Sequence, residues 1–317
     1  MEIRSFSQKF KQGISLGLYK GWFGLLWMLK ILIPVSLLTT LLEWSGWIGG
    51  LDFIVQPVMG LLSLPAMAAL PLIIGMLTGV YGGIAAMVAL PFSKEQMTLM
   101  AIFLLIAHNL IQEGIIQGQS GLHPLKATVF RLVAAFITVL VVAQFMDTSA
   151  VAALSDATKQ IELSRPFAVA MKQWATAMLY LSLKILFLIM GIMVLLETLK
   201  ALGWIDHIVR MLLPFLRTLG LSSKVGMLWM TAVVFGLAYG AAVIVEEAKR
   251  GDLSEDELTE LQLSIGINHS MVEDPALFLS LGLSAFWLWI PRLLTAIIAV
   301  RLLTLWQTLR RGVKAEG

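Results

Sequence analysis

Residues 21–43 read GWFGLLWMLKILIPVSLLTTLLE, an apolar run broken only by Lys30 before its closing Glu43. About 20 such residues cross the hydrocarbon core of a bilayer as a helix, so the chain is predicted to enter a membrane here. No small-x-small cleavage site follows the run, which is therefore read as a retained first span and not as a removed signal peptide. Its central Leu29-Lys30-Ile31-Leu32 returns as Leu183-Lys184-Ile185-Leu186, 154 positions later. The first span thus predicts both the solvent of the fold and its internal plan.

Composition carries the membrane reading across the whole chain. The 317 residues are 58% hydrophobic and 14% charged, with a mean hydropathy of +0.86. A soluble domain carries about a quarter charged residues, and a disordered chain would be poor in apolar ones. The length leaves room for roughly 6 to 10 crossings with short loops. With no cysteine, a disulfide framework, a thiolate metal site, an iron–sulfur cluster and a cysteine nucleophile are excluded together. The net charge of +3 is small and lies at the ends and in loops, which argues against a nucleic-acid partner and suits an anionic cytoplasmic leaflet.

The internal match continues beyond the first span. At the same offset Glu43 falls on Glu197 and Asp52 on Asp206; at 158 Tyr81-Gly82 falls on Tyr239-Gly240. At 160 His108-Asn109 lies over Asn268-His269 and Glu113 over Glu273, and at 161 Arg131 lies over Arg292. So slow a drift implies a duplication with small loop insertions. The chain then divides into a basic cytoplasmic segment 1–20, a membrane repeat 21–146, a polar linker 147–173 with room for a short surface helix, a second repeat 174–308 and a basic tail 309–317.

Apolar length and periodicity predict five segments per half. The first half has them near 22–44, 50–63, 66–91, 97–116 and 127–146, the second near 178–197, 205–220, 225–245, 262–283 and 286–308. The second segment of each half reads as an interfacial helix, since 205–220 mixes Asp206, His207, Arg210 and Arg217 with apolar residues. The third is rich in glycine, with Pro71 and Gly75, Gly79, Gly82 and Gly83 in one half and Gly226, Gly236 and Gly240 in the other. Two readings stay open for it: a hairpin turning back within the bilayer, or a straight helix packed through Gly75-x-x-x-Gly79 and Gly236-x-x-x-Gly240. Hairpins leave three full spans per half and make the repeats inverted. The loop charges agree, because 44–65 holds no Lys or Arg whereas the matching loop holds Lys200, Arg210, Arg217 and Lys224. Both termini are expected on the cytoplasmic side.

Chemistry is expected in the fourth segments. One reads IAHNLIQEG (106–114) and the other GINHSMVEDP (266–275). Ionisable groups at mid-bilayer cost about 2.5 kcal/mol or more, so they are functional candidates by default. Helical spacing pairs His108 with Gln112, Asn109 with Glu113, and His269 with Glu273. If the halves face each other, His108, Asn109, Gln112, Glu113, Asn268, His269, Ser270 and Glu273 form one polar cluster. Pro275 is expected to break the second of these helices. The alternative is that the acids sit at a helix end in the interface. His-x-x-x-Glu also matches metal-ligand spacing, but the pattern is common by chance and no residue is assigned as a metal ligand. Lys30 and Lys184 are read as snorkelling, with a counter-charge role as the alternative. Glu43, Glu197, Asp52 and Asp206 are read as capping or surface residues. Trp22, Trp44, Trp47, Trp204, Trp287, Trp289 and Trp306 are read as interfacial belts. Ser254 with Glu257 three residues on spells a capping box. No phosphate loop and no legible Ser/His/Asp order appear, so neither an ATP-driven pump nor an enzyme is expected, and no cofactor is called for.

The order span, interfacial helix, Gly-rich hairpin, polar helix, span, given twice, resembles the nucleoside-recognition or Gate domain family of bacterial membrane proteins. The resemblance rests on Gly75-Met76-Leu77-Thr78-Gly79-Val80-Tyr81-Gly82-Gly83 and Phe235-Gly236-Leu237-Ala238-Tyr239-Gly240, with the His-Asn and Asn-His helices behind them. It extends over roughly 20–308. That family looks like the core of concentrative nucleoside transporters and the gate regions of ferrous-iron transporter B, in which hairpins and broken helices enclose a midplane site. The resemblance implies an all-α polytopic protein of the bacterial cytoplasmic membrane: a secondary transporter or permease for a small polar solute, nucleoside-like or another organic metabolite. Its hairpin tips would be Gly79, Tyr81, Gly82, Gly236, Tyr239 and Gly240. Expected partners are the small-molecule substrate, H+ or Na+, the lipid bilayer and a second copy of the chain, with proton coupling assigned to Glu113, Glu273 and the two histidines. The alternatives are a divalent-metal permease and a non-transporting scaffold for another protein. The missing cysteines and GTPase domain set the chain apart from the iron transporters.

Overall fold

The apolar first span forms the core of a helix far longer than a bilayer needs. In the computed structural model, which describes residues 2–47, 52–119, 121–146, 166–204, 207, 211, 223–235, 244, 246–247 and 253–315, helix α1 runs unbroken over Glu2–Trp44. Its 43 residues span about 65 Å at 1.5 Å per residue, against about 30 Å of hydrocarbon. The basic segment 1–20 thus continues the first span as helix.

Helix α2 covers Asp52–Leu61, followed by a 3-10 turn Ala66–Ala68, α3 (Ala69–Thr78), α4 (Val80–Val88), α5 (Lys94–Ala107), α6 (Leu110–Gln119) and α7 (Pro124–Ala143). The remainder is α8 (Phe167–Ala201), α9 (Ser223–Phe235), α10 (Glu255–Asn268), α11 (Glu273–Ser280) and α12 (Ala285–Ala315). All regular structure among the described residues is helical. Among the described residues five stretches are long and apolar enough to cross a membrane: Phe6–Trp44, Lys94–Gln119, Pro124–Ala143, Phe167–Ala201 and Ala285–Leu309. A sixth candidate, Val55–Leu61 with Ala66–Thr78, is bent by 90°. The predicted interfacial helix 205–220, apart from His207 and Met211, the linker over 147–165 and the glycines near 240 lie outside the described residues.

Helices α1 and α8 form an antiparallel pair. A Cβ on Gly13 would meet Thr198 Cα at 2.6 Å, and one on Gly17 would meet Val194 Cα at 2.5 Å; at the other end Trp174 Nε1 donates to Ser36 Oγ at 3.0 Å. Ascending positions on one helix meet descending positions on the other. Small residues permit this approach where lipid offers no hydrophobic drive to association. Glu197, expected at the surface, is buried here and pairs with Lys20 and Lys200, each at 3.0 Å. Burial of a carboxylate requires such partners.

The Gly-rich segment of the first half folds back on itself. Gly79, at φ +95°, separates α3 from α4, and a Cβ on Gly75 would lie 3.3 Å from Gly83 Cα. Eight residues of continuous helix would hold them about 12 Å apart, so the chain reverses at Gly79. A positive φ of this kind favours glycine.

Two stretches repeat the same local construction at one offset. Ser93 caps α5 through reciprocal bonds with Gln96, and Ser254 caps α10 the same way with Glu257, as the capping-box spacing predicts. Helices α5 and α10 start 161 positions apart and end 161 apart, and α7 and α12 also start 161 apart. Both α5 and α10 stop at a histidine in extended conformation, His108 and His269. Each histidine is followed by a left-handed residue, Asn109 at φ 49° and Ser270 at φ 50°.

These stops interrupt the expected fourth segments. The span predicted over 97–116 falls within the candidate crossing Lys94–Gln119, which is made of α5 and α6 joined by a break at His108–Asn109. In the second half Pro275 does not make the break; it lies in the first turn of α11, where a missing N–H costs least. The chain turns earlier, at Ser270.

Candidate functional site

A helix that stops inside an apolar bundle frees carbonyls that only protein can satisfy. Two buried arginines do this. Arg131 of α7 donates from Nε to Ile106 O and from Nη2 to His108 O, both at 2.8 Å. Arg292 of α12 donates to Ile267 O at 3.2 and 2.9 Å and to His269 O at 3.0 Å. They are 1% and 0% exposed. A further carbonyl at each stop takes the histidine itself: Nδ1 of His108 lies 2.7 Å from Leu104 O and Nδ1 of His269 lies 3.1 Å from Ile265 O.

With their Nδ1 atoms turned back to the helix ends, the rings meet through their other nitrogens. His108 Nε2 and His269 Nε2 are 3.2 Å apart. Glu113 Oε1 lies 3.1 Å from the first and 3.2 Å from the second, while Glu113 Oε2 pairs with Arg131 Nη1 at 2.5 Å. Asp274 Oδ2 approaches His108 Nε2 at 3.5 Å. All five side chains are buried.

The shared geometry corrects the sequence register. The hydrogen bonds align His108 with His269, Asn109 with Ser270 and Glu113 with Asp274, all at 161, instead of His108 with Asn268 and Glu113 with Glu273 at 160. Asp274, Arg131 and Arg292 are therefore site residues that sequence reasoning passed over. The arginines carried a signal, being charged residues inside spans at the same offset. Asp274 is one methylene shorter than its counterpart, and the second half differs accordingly: among the described residues no ion pair joins it to Arg292, whose Nη1 has no hydrogen-bond partner there.

The other expected site residues divide. Asn109 and Gln112 bond to each other at 3.0 Å on an exposed face, so Gln112 does not serve His108 and Asn109 does not serve Glu113. Glu273 accepts from the Tyr81 hydroxyl instead of pairing with His269, which ties α4 to α11. Asn268 is fully buried with neither side-chain amide atom bonded among the described residues, as is Gln262. The Gln262 carbonyl accepts from Gln117 Nε2 at 2.9 Å. Gly79 packs at the break beside Asn109, whose backbone N donates to Gly75 O at 3.1 Å. Gly82 is buried in α4. Gly236, Tyr239 and Gly240 lie outside the described residues. Trp289, expected in an interfacial belt, donates to Met271 O at 2.8 Å beside the second helix stop. Lys184 is half-buried and reaches Ser280 O at 3.3 Å, while Lys30 is exposed.

Among known proteins the chain is similar to the uncharacterized membrane protein YvoD of Bacillus subtilis (strain 168), at 29% identity over 299 residues, covering 91% of this chain and 92% of that protein. No family model and no solved structure matches the chain. Five long apolar helices among the described residues, and likeness over 91% of the chain to a membrane protein, make this a multi-pass membrane protein.

Proposed function

We propose that the protein is a secondary transporter or permease of the bacterial cytoplasmic membrane, built from two inverted repeats with both termini cytoplasmic. It moves a small polar solute through the cluster around His108, His269 and Glu113. The reading rests on one observation: two helix stops of identical construction bring their histidines into contact inside the bundle. A contact between equivalent residues is what a two-fold relation between halves produces. The antiparallel run of α1 and α8, whose sequences match, supports inversion over parallel duplication. The reversal at Gly79 supports a re-entrant hairpin, and interrupted helices meeting mid-bundle are how such transporters expose backbone and side chains to a solute.

Energetics support the same reading. Glu113, Asp274, Arg131 and Arg292 are buried charges in an apolar bundle, where each costs about 2.5 kcal/mol or more; apolar packing would brace the helices at lower cost. Glu113 and the two imidazoles converge within 3.2 Å of one another, which favours a small ion at this point, with an organic solute such as a nucleoside bound beside it.

Thermal stability of the purified protein against nucleosides, organic anions, lipid phosphates and divalent metals tests the proposal. A ligand at 100 times its dissociation constant stabilises by about 2.7 kcal/mol. A shift seen with the native chain and lost in Glu113→Gln supports it. A panel without effect, together with a co-purifying protein partner, contradicts it and favours a scaffold.

A further inference from the structure

We propose that His108 Nε2, His269 Nε2 and Glu113 Oε1 are three ligands of a site for one first-row divalent transition-metal ion, with Asp274 as a fourth oxygen donor. As to the metal being cargo, this rests on the transport reading; as to binding, it does not.

Distance carries the site first. Such a metal holds imidazole nitrogen at about 2.0–2.1 Å and carboxylate oxygen at about 2.0–2.2 Å. Two donors about 2.1 Å from one centre are about 3.0 Å apart at a right angle and about 3.4 Å apart at the tetrahedral angle. The three separations here are 3.2, 3.1 and 3.2 Å. They fall between those two geometries, on a triangle whose members come from α6 and from both helix stops.

The placement of hydrogen points the same way. A carbonyl oxygen only accepts, so the bonds to Leu104 O and Ile265 O put a hydrogen on Nδ1 of each ring. In the neutral imidazoles Nε2 then carries a lone pair. With both rings neutral, two such lone pairs and a carboxylate oxygen converge on one point with no donor among them, an arrangement that a bound cation relieves. Backbone carbonyls on the far nitrogen are also the usual means of aiming a ligating histidine.

The surrounding groups complete the site. Arg131 takes Glu113 Oε2, which leaves Oε1 aimed at the two rings. Asp274 Oδ2 is buried and has no hydrogen-bond partner among the described residues, yet it lies 3.5 Å from His108 Nε2. Formally, the carboxylates of Glu113, Glu273 and Asp274 exceed the guanidiniums of Arg131 and Arg292 by one negative charge, which favours a cation over an anion here. Two imidazoles select against Mg2+ and Ca2+ and suit Mn, Fe, Co, Ni or Zn.

Co2+ titrated into the chelator-stripped full chain, in detergent or nanodiscs, tests the site through visible ligand-field absorption and calorimetry. One Co2+ per chain is expected, displaced by Zn2+ and untouched by excess Mg2+. His269→Gln and Glu113→Gln should each weaken binding at least tenfold, and His207→Ala should not change it. Size exclusion and thermal unfolding confirm that each variant is folded; should Glu113→Gln fail to fold, His108→Gln replaces it. The proposal is overturned if the native chain binds no Co2+, or if a folded His269→Gln binds as tightly as the native chain. Co2+ bound one to one yet excluded from proteoliposomes upholds the site and removes metal as the cargo. Uptake of an organic solute by a chain that binds no metal removes the site and leaves the transport reading standing.

Discussion

Glu113 and Asp274 occupy equivalent places, 161 positions apart after the two histidine stops, but among the described residues only the longer acid pairs with its arginine. The extra methylene carries Glu113 to Arg131 Nη1, while Arg292 Nη1 finds no hydrogen-bond partner there. The two helix stops are therefore matched in backbone and unequal in charge pairing, and the inequality makes the arginines distinguishable by mutation.

Arg131→Leu should destabilise the protein by about 3–5 kcal/mol, because it strands a buried carboxylate as well as two carbonyls. Arg292→Leu strands carbonyls without breaking an ion pair and should cost less. Thermal unfolding of the two variants in the same detergent checks the order; equal losses would contradict the unequal pairing.

Asp274→Glu should give the second half the pair that the first half has. A gain of about 1 kcal/mol in unfolding free energy is expected from satisfying Arg292, together with weaker Co2+ binding as the oxygen leaves His108. Lower stability with unchanged Co2+ affinity would contradict both parts.

Left-handed backbone at a non-glycine residue costs about 1–2 kcal/mol, so Ser270→Gly should stabilise the folded protein by up to about that amount. Gly79→Val, at φ +95°, should destabilise it. Unfolding midpoints that move in the opposite directions would mean that the stops at Ser270 and Gly79 are not the strained turns described.

Gly17→Leu should separate α1 from α8, since even a Cβ would come within 2.5 Å of Val194 Cα. Gly24→Leu, on the same helix with open space around it, serves as the control. Protease accessibility of α1 should rise in the first variant and stay level in the second.

The spans were legible because an apolar run of about 20 residues has few alternatives in sequence terms. The capping boxes at Ser93 and Ser254 were equally legible, since Ser-x-x-Gln and Ser-x-x-Glu spell the same pattern, but only Ser254 with Glu257 is read from the sequence. The stop after Ala107 was hidden because His108 and Asn109 carry neither glycine nor proline, and what ends the helix is distant, namely Arg131 drawing its carbonyls away. Pro275 drew the expected break to the wrong place. The offset of 160 followed identity, Glu113 over Glu273, where the structure equates Glu113 with Asp274. Burial of His108, His269 and Glu113 in one cluster followed from their place in apolar spans, but the direction of each nitrogen depended on carbonyls at Leu104 and Ile265 that no side-chain pattern encodes.

Passage of a solute through the cluster at Glu113 is tested most directly by uptake into proteoliposomes of a panel of nucleosides, organic anions, Mn2+ and Co2+, comparing the native chain with Glu113→Gln and with empty liposomes. At least one member should enter about ten times faster than into empty liposomes, or faster still, with the native chain, and at the empty-liposome rate with Glu113→Gln. Uptake indifferent to Glu113→Gln, or no uptake of any member, would contradict a transport role for the cluster.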